Sequence, residues 1–171
     1  MSKLLILAAL GGLLWTSSVK PAGTHISAAD ILATIENAPE GRVSDQQIHH
    51  IDAGDHNVGV GVVQRPPTTT LGAIQHHNQT EVYYVVSGSG SLVTGGELTD
   101  VRALDADGTV VRNLTGPSAV GGIEGGHSQE VGPGDMVIIP ADSPHGFSEI
   151  RETITYIVVR VDPDQLVELK P

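Results

Sequence analysis

Two adjacent histidines and a carboxylate, His76, His77 and Glu81, stand close together in the stretch AIQHHNQTEVYYVVSG. A further histidine, His145, opens an apolar run later in the chain. Imidazole nitrogens combined with a carboxylate oxygen can hold a divalent metal, and a set that leaves coordination positions open suits manganese, iron or nickel better than a closed zinc site. The first stretch is therefore either half of a metal centre or a polar edge in front of an ordinary strand.

Strands must position these side chains, because short β-forming runs separated by glycine and proline turns fill the chain after residue 57. Such a pattern predicts a closed or double-sheet all-β fold. Turns are predicted at residues 88–90 and 132–135. The predicted strands are residues 57–63, 81–86, 91–94, 127–131, 135–139, 145–150 and 153–161.

Two spaced patches resemble the motifs of the cupin superfamily. In the first patch Glu81 is followed by six residues and then Gly88, and in the second Gly134, Pro140 and His145 stand at the family's spacing. Asp142 replaces the turn glycine of the second motif. The resemblance covers residues 72–161 and implies a cupin-like antiparallel β-barrel, a double-stranded β-helix or jelly roll.

The same resemblance implies a ligand set for a divalent metal, in which Glu81 and His145 are joined by one of the adjacent histidines. If three residues separate the histidine from Glu81, the ligand is His77, and Gln75 replaces the other family histidine as a weak oxygen ligand. If four residues separate them, the ligand is His76. On a straight strand His76 and His77 face opposite sides, so one should point inward.

Two further side chains are candidates for proton transfer beside such a metal. Strand alternation places Tyr83 on the face of Glu81, and Glu149 on the face of His145. Glu149 is then either a general base or an exposed carboxylate at the barrel rim. His145 likewise is either a ligand or a hydrogen-bonded interior histidine.

Two functions follow from the resemblance. The first is an exported metal-binding protein that acts on a small polar molecule, with dioxygenase, isomerase and decarboxylase activities among those that the family implies. The second is a non-catalytic protein that binds or senses a small ligand without a stable metal. The resemblance also implies a homodimer, since cupin-like barrels often pair through sheet edges.

The N-terminal residues resemble a secretory signal peptide. Lys3 precedes an apolar stretch at residues 4–15, which is shorter than the roughly 20 residues that span a bilayer. We expect cleavage between residues 18 and 23, a periplasmic or extracellular location, and a single domain at residues 24–171. Ser27 and Asp30 predict a capped helix at residues 27–36, and residues 95–126 predict an irregular excursion.

Composition argues against two classes of partner. The formal net charge is −11, and the 171 residues include one tryptophan, three tyrosines and one phenylalanine. An acidic chain with scattered basic residues is a poor ligand for nucleic acid or an anionic membrane, so we expect neither partner once the leader is removed. The absence of cysteine leaves the redox compartment undetermined.

Overall fold

The structure is a computed structural model that describes residues 22–171. The predicted leader, as far as Pro21, lies outside the described residues, so its cleavage stays a prediction. Among residues 22–171, no helix combines the length and hydropathy that a membrane span requires.

A single α-helix, α1, runs from Ala28 to Glu36. The Ser27 hydroxyl accepts the Asp30 amide at 3.1 Å, and the Asp30 carboxylate accepts the Ser27 amide at 3.1 Å. This reciprocal capping box satisfies donors that the first turn leaves free. The predicted helix is therefore confirmed, although none of its residues is fully buried.

Nine strands make up the rest of the regular structure in residues 22–171, and every pairing between them is antiparallel. A π-helical turn at Val111–Thr115 interrupts them. The strands are β1 (Ser44–Asp52), β2 (Asn57–Arg65), β3 (Ala73–His76), β4 (Thr80–Thr94), β5 (Glu97–Ala103), β6 (Ser118–Glu124), β7 (His127–Val131), β8 (Met136–Ile139) and β9 (His145–Asp162).

Two long strands, β4 and β9, pair along most of their length and belong to both layers of the barrel. One layer contains, in this order side by side, β1, β2, the second half of β9, the first half of β4, and β8. The other layer contains, in this order side by side, β5, β6, β3, the first half of β9, the second half of β4, and β7. This arrangement confirms the predicted all-β fold.

The predicted turn at residues 88–90 is wrong, because β4 continues through it. The register between β4 and β9 shifts several times between Val85 and Leu92, which marks a bulged bend. Gly88 lies in this bend with φ +73°, and a side chain there would collide with the backbone of Thr153. The glycines therefore let one strand turn from the first layer into the second.

Two further regions are more regular than the sequence predicts. Within the predicted excursion, β5 and β6 pair with each other, and residues Val111–Thr115 form the π-helical turn. Strand β1 was not predicted at all. Its sequence SDQQIHHID lacks the alternation of apolar and polar residues that identifies a half-buried strand.

The barrel interior is divided between an apolar core and a polar group of side chains. Tyr83 and Tyr156 stack with their ring centroids 4.3 Å apart, next to Phe147. The remaining core residues are Val63, Val85, Leu92, Val131, Ile139, Ile150, Ile154 and Val158. One edge of this core, around Tyr83, faces His145, and there the polar group begins.

Candidate metal centre

Three side chains from three strands converge at one point in the barrel. His76 ends β3, Glu81 lies near the start of β4, and His145 opens β9; their exposed fractions are 4%, 1% and 2%. The Nε2 atoms of His76 and His145 lie 3.5 and 3.2 Å from Glu81 Oε2. We call these three residues the His–Glu–His cluster. It is the one group of metal-ligating side chains that converges among residues 22–171.

The hydrogen bond made by His145 Nδ1 determines which ring nitrogen carries the proton. Nδ1 lies 3.0 Å from the backbone carbonyl oxygen of Ser143, which can only accept. Nδ1 must therefore be protonated, and in the neutral ring Nε2 presents a lone pair. That buried Nε2 makes no hydrogen bond within the described residues, although it faces Glu81 Oε2, itself an acceptor.

The same argument applies to His76. Its Nδ1 lies 2.9 Å from Ser118 Oγ, and the single hydroxyl proton of Ser118 is directed to the carbonyl oxygens of Thr115 and Gly116. Ser118 must then accept a proton from His76 Nδ1, which leaves a lone pair on Nε2. Burial lowers the pKa of His76 and outweighs the opposing effect of Glu81, so the ring stays neutral at neutral pH.

Glu81 is held as a carboxylate by two donors. Arg160 Nε donates to Oε1 at 2.8 Å, and the Tyr83 hydroxyl donates to Oε2 at 2.8 Å. Burial alone would raise the pKa of the Glu81 carboxyl, but the charge of the adjacent Arg160 guanidinium opposes burial, and the pKa stays well below its usual value. Arg160 is itself shared, since its Nη1 and Nη2 donate to Asp45 at 3.2 and 2.6 Å.

This arrangement fits a divalent metal. When both rings are neutral, the three atoms His76 Nε2, His145 Nε2 and Glu81 Oε2 face one another with lone pairs. Ligand atoms about 2.0–2.2 Å from one ion lie roughly 3.0–3.5 Å apart, which matches the observed 3.2 and 3.5 Å. Two histidines and one carboxylate with open positions suit iron or manganese. The hydrogen bonds to both Nδ1 atoms orient the rings, as second partners do around bound metals.

Gln75 and His77, the other predicted ligands, are not brought to the cluster. His77 is exposed, and its Nδ1 lies 3.0 Å from an Asp142 carboxylate oxygen. The Gln75 amide donates to the Asp142 carbonyl at 2.9 Å. Four residues therefore separate the inward histidine from Glu81, and the side chain in phase with His76 is Ile74, which cannot bind a metal.

The two predicted proton-transfer residues are placed differently from each other. Tyr83 lies at the cluster, but burial and the Glu81 charge raise its pKa well above the usual value, so it acts as a hydrogen-bond donor and not as a base. Glu149 points away and pairs with Arg151 at 3.0 Å. The register between β9 and β4 shifts after Phe147, opposite Ser91 and Leu92, and this bulge reverses the alternation on which the prediction depended.

The structure adds residues to the site that sequence reasoning missed. Arg160, Asp45 and Ser118 hold Glu81 and His76 in place from distant parts of the chain. A signal for Arg160 was present, because it alternates in phase with Tyr156 and Val158 in an apolar strand. A charge on the buried face of a strand requires a partner.

A cleft of about 580 Å³ opens beside the cluster. One wall contains His145 and Ile74, and the remaining lining residues are Arg65, Gly72, Ala73, Asp100, Arg102, Val120 and Gly121. A larger groove of about 870 Å³ lies between α1, β1 and the C-terminal segment. None of the cluster residues lines that groove, whereas His145 lines the smaller cleft.

Comparison with known proteins supports the fold by structure alone. No protein-family model matches the sequence, and no curated protein matches it. A double-stranded β-helix protein from Klebsiella pneumoniae subsp. pneumoniae MGH 78578, described as uncharacterized, is similar with a TM-score of 0.51 at 16% identity, over 87% of this chain and 99% of that one.

Two similar structures have described activities. A putative mannose-6-phosphate isomerase from Ralstonia eutropha JMP134 has a TM-score of 0.44 at 17% identity, over 82% of this chain and 99% of its own. The dimethylsulfoniopropionate (DMSP) lyase DddQ from Ruegeria pomeroyi DSS-3 has a TM-score of 0.45 at 17% identity, over 79% and 56%. The fold assignment depends on the Klebsiella structure and on the strand pairing described above: this chain has the double-stranded β-helix fold.

Proposed function

We propose that this protein binds one divalent metal through His76, Glu81 and His145 and acts on a small polar molecule at the open positions of that metal. The observation that supports this most strongly is the tautomeric state of the two histidines. Both Nδ1 atoms are committed to acceptors, so in the neutral rings both Nε2 lone pairs face a carboxylate oxygen that is also an acceptor. A cation between them would relieve this arrangement.

The bound metal would supply Lewis acidity or a site for oxygen, and the chain's own residues do the rest. Arg160 holds Oε1 of Glu81, so only Oε2 is free to act as a ligand. Tyr83 donates to that same Oε2 and fixes its direction. Ile74 occupies the position where the family has a further histidine, and it leaves an apolar surface facing the cleft.

Metal analysis tests this proposal directly. Protein purified without a histidine tag or chelator would be reconstituted with manganese, iron, nickel or zinc, and its bound metal measured. We expect about one metal per chain, lost in His145→Ala and His76→Ala with affinity lower by more than about 100-fold, since even outer partners of ligands contribute 10- to 100-fold. His77→Ala is the matched control, because it removes an adjacent exposed histidine.

The absence of metal from wild-type protein after all four reconstitutions would contradict the proposal. Equal losses in His77→Ala and His145→Ala would contradict it as well. The first result would favour the second candidate, a barrel that binds a small ligand without metal. Ile74 is the observation that supports that candidate, because one protein ligand fewer weakens metal retention.

Export and dimer formation remain proposals. Export depends on the leader, and N-terminal sequencing of protein recovered from the expressing cells would reveal whether cleavage occurs between residues 18 and 23. A homodimer would appear as a doubled mass in light scattering. Neither result would change the assignment of the metal ligands.

A further inference from the structure

Arg65 ends strand β2 in the cleft that leads to His145. The side chain is half-buried, and its Nε donates to the Tyr156 hydroxyl at 2.9 Å. Tyr156 is a fixed part of the core, stacked on Tyr83. This hydrogen bond therefore restricts the orientation of the planar guanidinium and uses only its Nε, so the two terminal nitrogens make no side-chain hydrogen bond within the described residues.

The two arginines of the barrel interior differ in their partners. Arg160 pairs with the carboxylates of Glu81 and Asp45. For Arg65, no carboxylate among the described residues lies within 4.0 Å, and the one side-chain hydrogen bond that it donates is the bond to Tyr156. A partly exposed guanidinium keeps its charge and can donate further hydrogen bonds from its terminal nitrogens. Its terminal nitrogens are thus available to a ligand.

The charges around this cleft favour an anion. Asp100 and Arg102 carry opposite charges at the exposed part of the lining, so they offset each other and leave the charge of Arg65. The walls between Arg65 and His145 are apolar or glycine. In a chain of net charge −11, this lining carries one more basic than acidic side chain, and apolar walls strengthen the field of Arg65 on a bound anion.

We propose that Arg65 is an anion-binding residue that accepts the carboxylate or phosphate group of the small molecule that reaches the His–Glu–His cluster. Its two terminal nitrogens form a fork that binds either group in a bidentate manner. The proposed substrates are thereby restricted to small anions. This inference depends on the proposed function for what happens at the cluster, but the anion site itself requires no metal.

Nuclear magnetic resonance can test anion binding at Arg65 without knowledge of the substrate. The full chain, metal-free and zinc-loaded, would be titrated with acetate, inorganic phosphate and acetamide while the Arg65 Nε–H signal is followed. We expect a saturable shift with acetate or phosphate and none with acetamide, which has the size of acetate without its charge. The response to acetate against phosphate identifies the preferred anion.

Three variants separate Arg65 from the rest of the cleft. Arg65→Gln should raise the apparent dissociation constant for the preferred anion by about 10-fold or more, because charge-assisted hydrogen bonds are lost. Arg65→Lys keeps the charge without the fork and should fall in between. Arg102→Gln, the matched control at the exposed rim, should change the constant by less than about 3-fold, since an exposed charge contributes little.

The possible outcomes distinguish this inference from the proposed function. Equal shifts with acetate and acetamide, or wild-type affinity in both Arg65→Gln and Arg65→Lys, would overturn the anion site while metal binding could still stand. Wild-type protein could bind acetate saturably and yet take up none of the four metals on reconstitution. That result would support the anion site and contradict the proposed metal centre. Metal stoichiometry should stay unchanged in Arg65→Gln.

Discussion

The chain buries two polar regions that share one face of β9, and they differ in how their atoms are partnered. In the His–Glu–His cluster, both histidines are anchored through Nδ1 and direct Nε2 at one carboxylate oxygen. In the second region, which we call the His50 region, His50 lies near Gln47 and Asp162. Neither ring nitrogen of His50 has a partner among the described residues, and neither do the amide atoms of Gln47.

The polar side chains of the His50 region pack close together, but their polar atoms do not converge on one position. A methyl group at Gly59 would lie 3.4 Å from Gln47 Oε1 and 3.6 Å from His50 Cδ2. One oxygen of Asp162 accepts the Val167 amide at 2.9 Å, while the other has no partner among residues 22–171. Burial of polar atoms is therefore not enough to indicate a binding site. The His–Glu–His cluster differs because its lone pairs converge on one position while the Nδ1 atoms of both histidines are already hydrogen-bonded.

Arg160 lies between the two regions, and its removal should have the largest effect. Arg160→Met would leave the buried carboxylate of Glu81 and the half-buried one of Asp45 without their cation. Breaking a buried ion pair in this way costs about 3–5 kcal/mol, measured as the free energy of unfolding in denaturant. Arg151→Met is the matched control, because Arg151 forms exposed pairs. Equal losses in the two variants would show that Arg160 does not support the cluster.

Tyr83→Phe should weaken the cluster while leaving the His50 region intact. It removes the donor to Glu81 Oε2 without changing the ring. We expect the metal dissociation constant to rise about 10- to 100-fold, as for other outer partners of ligands. The exposed neighbour Tyr84, replaced in Tyr84→Phe, provides the control. A metal affinity that is identical in both variants would mean that the Tyr83 hydroxyl does not orient the ligand.

His50 should produce the smallest effect, visible as a pH dependence of stability. Burial lowers its pKa below the ordinary 6.5, only partly offset by Asp162, and Arg160 lowers it further. Below the ordinary pKa of 6.5, the unfolded chain binds a proton at His50 more readily than the folded chain does. The contribution of His50 to the free energy of unfolding is therefore complete above about pH 6.5 and is lost as the pH decreases. The loss of stability between about pH 7.5 and about pH 5.5 should shrink in His50→Gln. An unchanged loss, equal to that in the exposed His56→Gln control, would be the contrary result.

Sequence reasoning could predict the fold because the spacing of Glu81 to Gly88 and of Gly134, Pro140 and His145 depends on local turn geometry. It also predicted Glu81 and His145 as neighbours, since strand alternation holds over a few residues. It could not choose between His76 and His77, because the connection to β4 sets which one faces inward. It left two alternatives open for Glu149 for a similar reason: a bulge is a tertiary feature that leaves little trace in sequence.

Long-range partners were the least predictable part of the site. Asp45 and Arg160 are far apart in sequence, and only the pairing of β1 with β2 and of β2 with β9 brings them together. Arg65 is comparable, because the tyrosine that orients it comes from β9. Such contacts depend on strand order, which a single sequence does not specify.

Anomalous diffraction from crystals of manganese-loaded protein tests the central claim most directly, because it locates the metal independently of affinity. The account predicts one anomalous peak between His76 Nε2, Glu81 Oε2 and His145 Nε2. The chain offers an alternative surface pair, His77 and Asp142, whose Nδ1 and Oδ1 atoms lie 3.0 Å apart. A peak at that pair, or none within the barrel, would contradict the assignment.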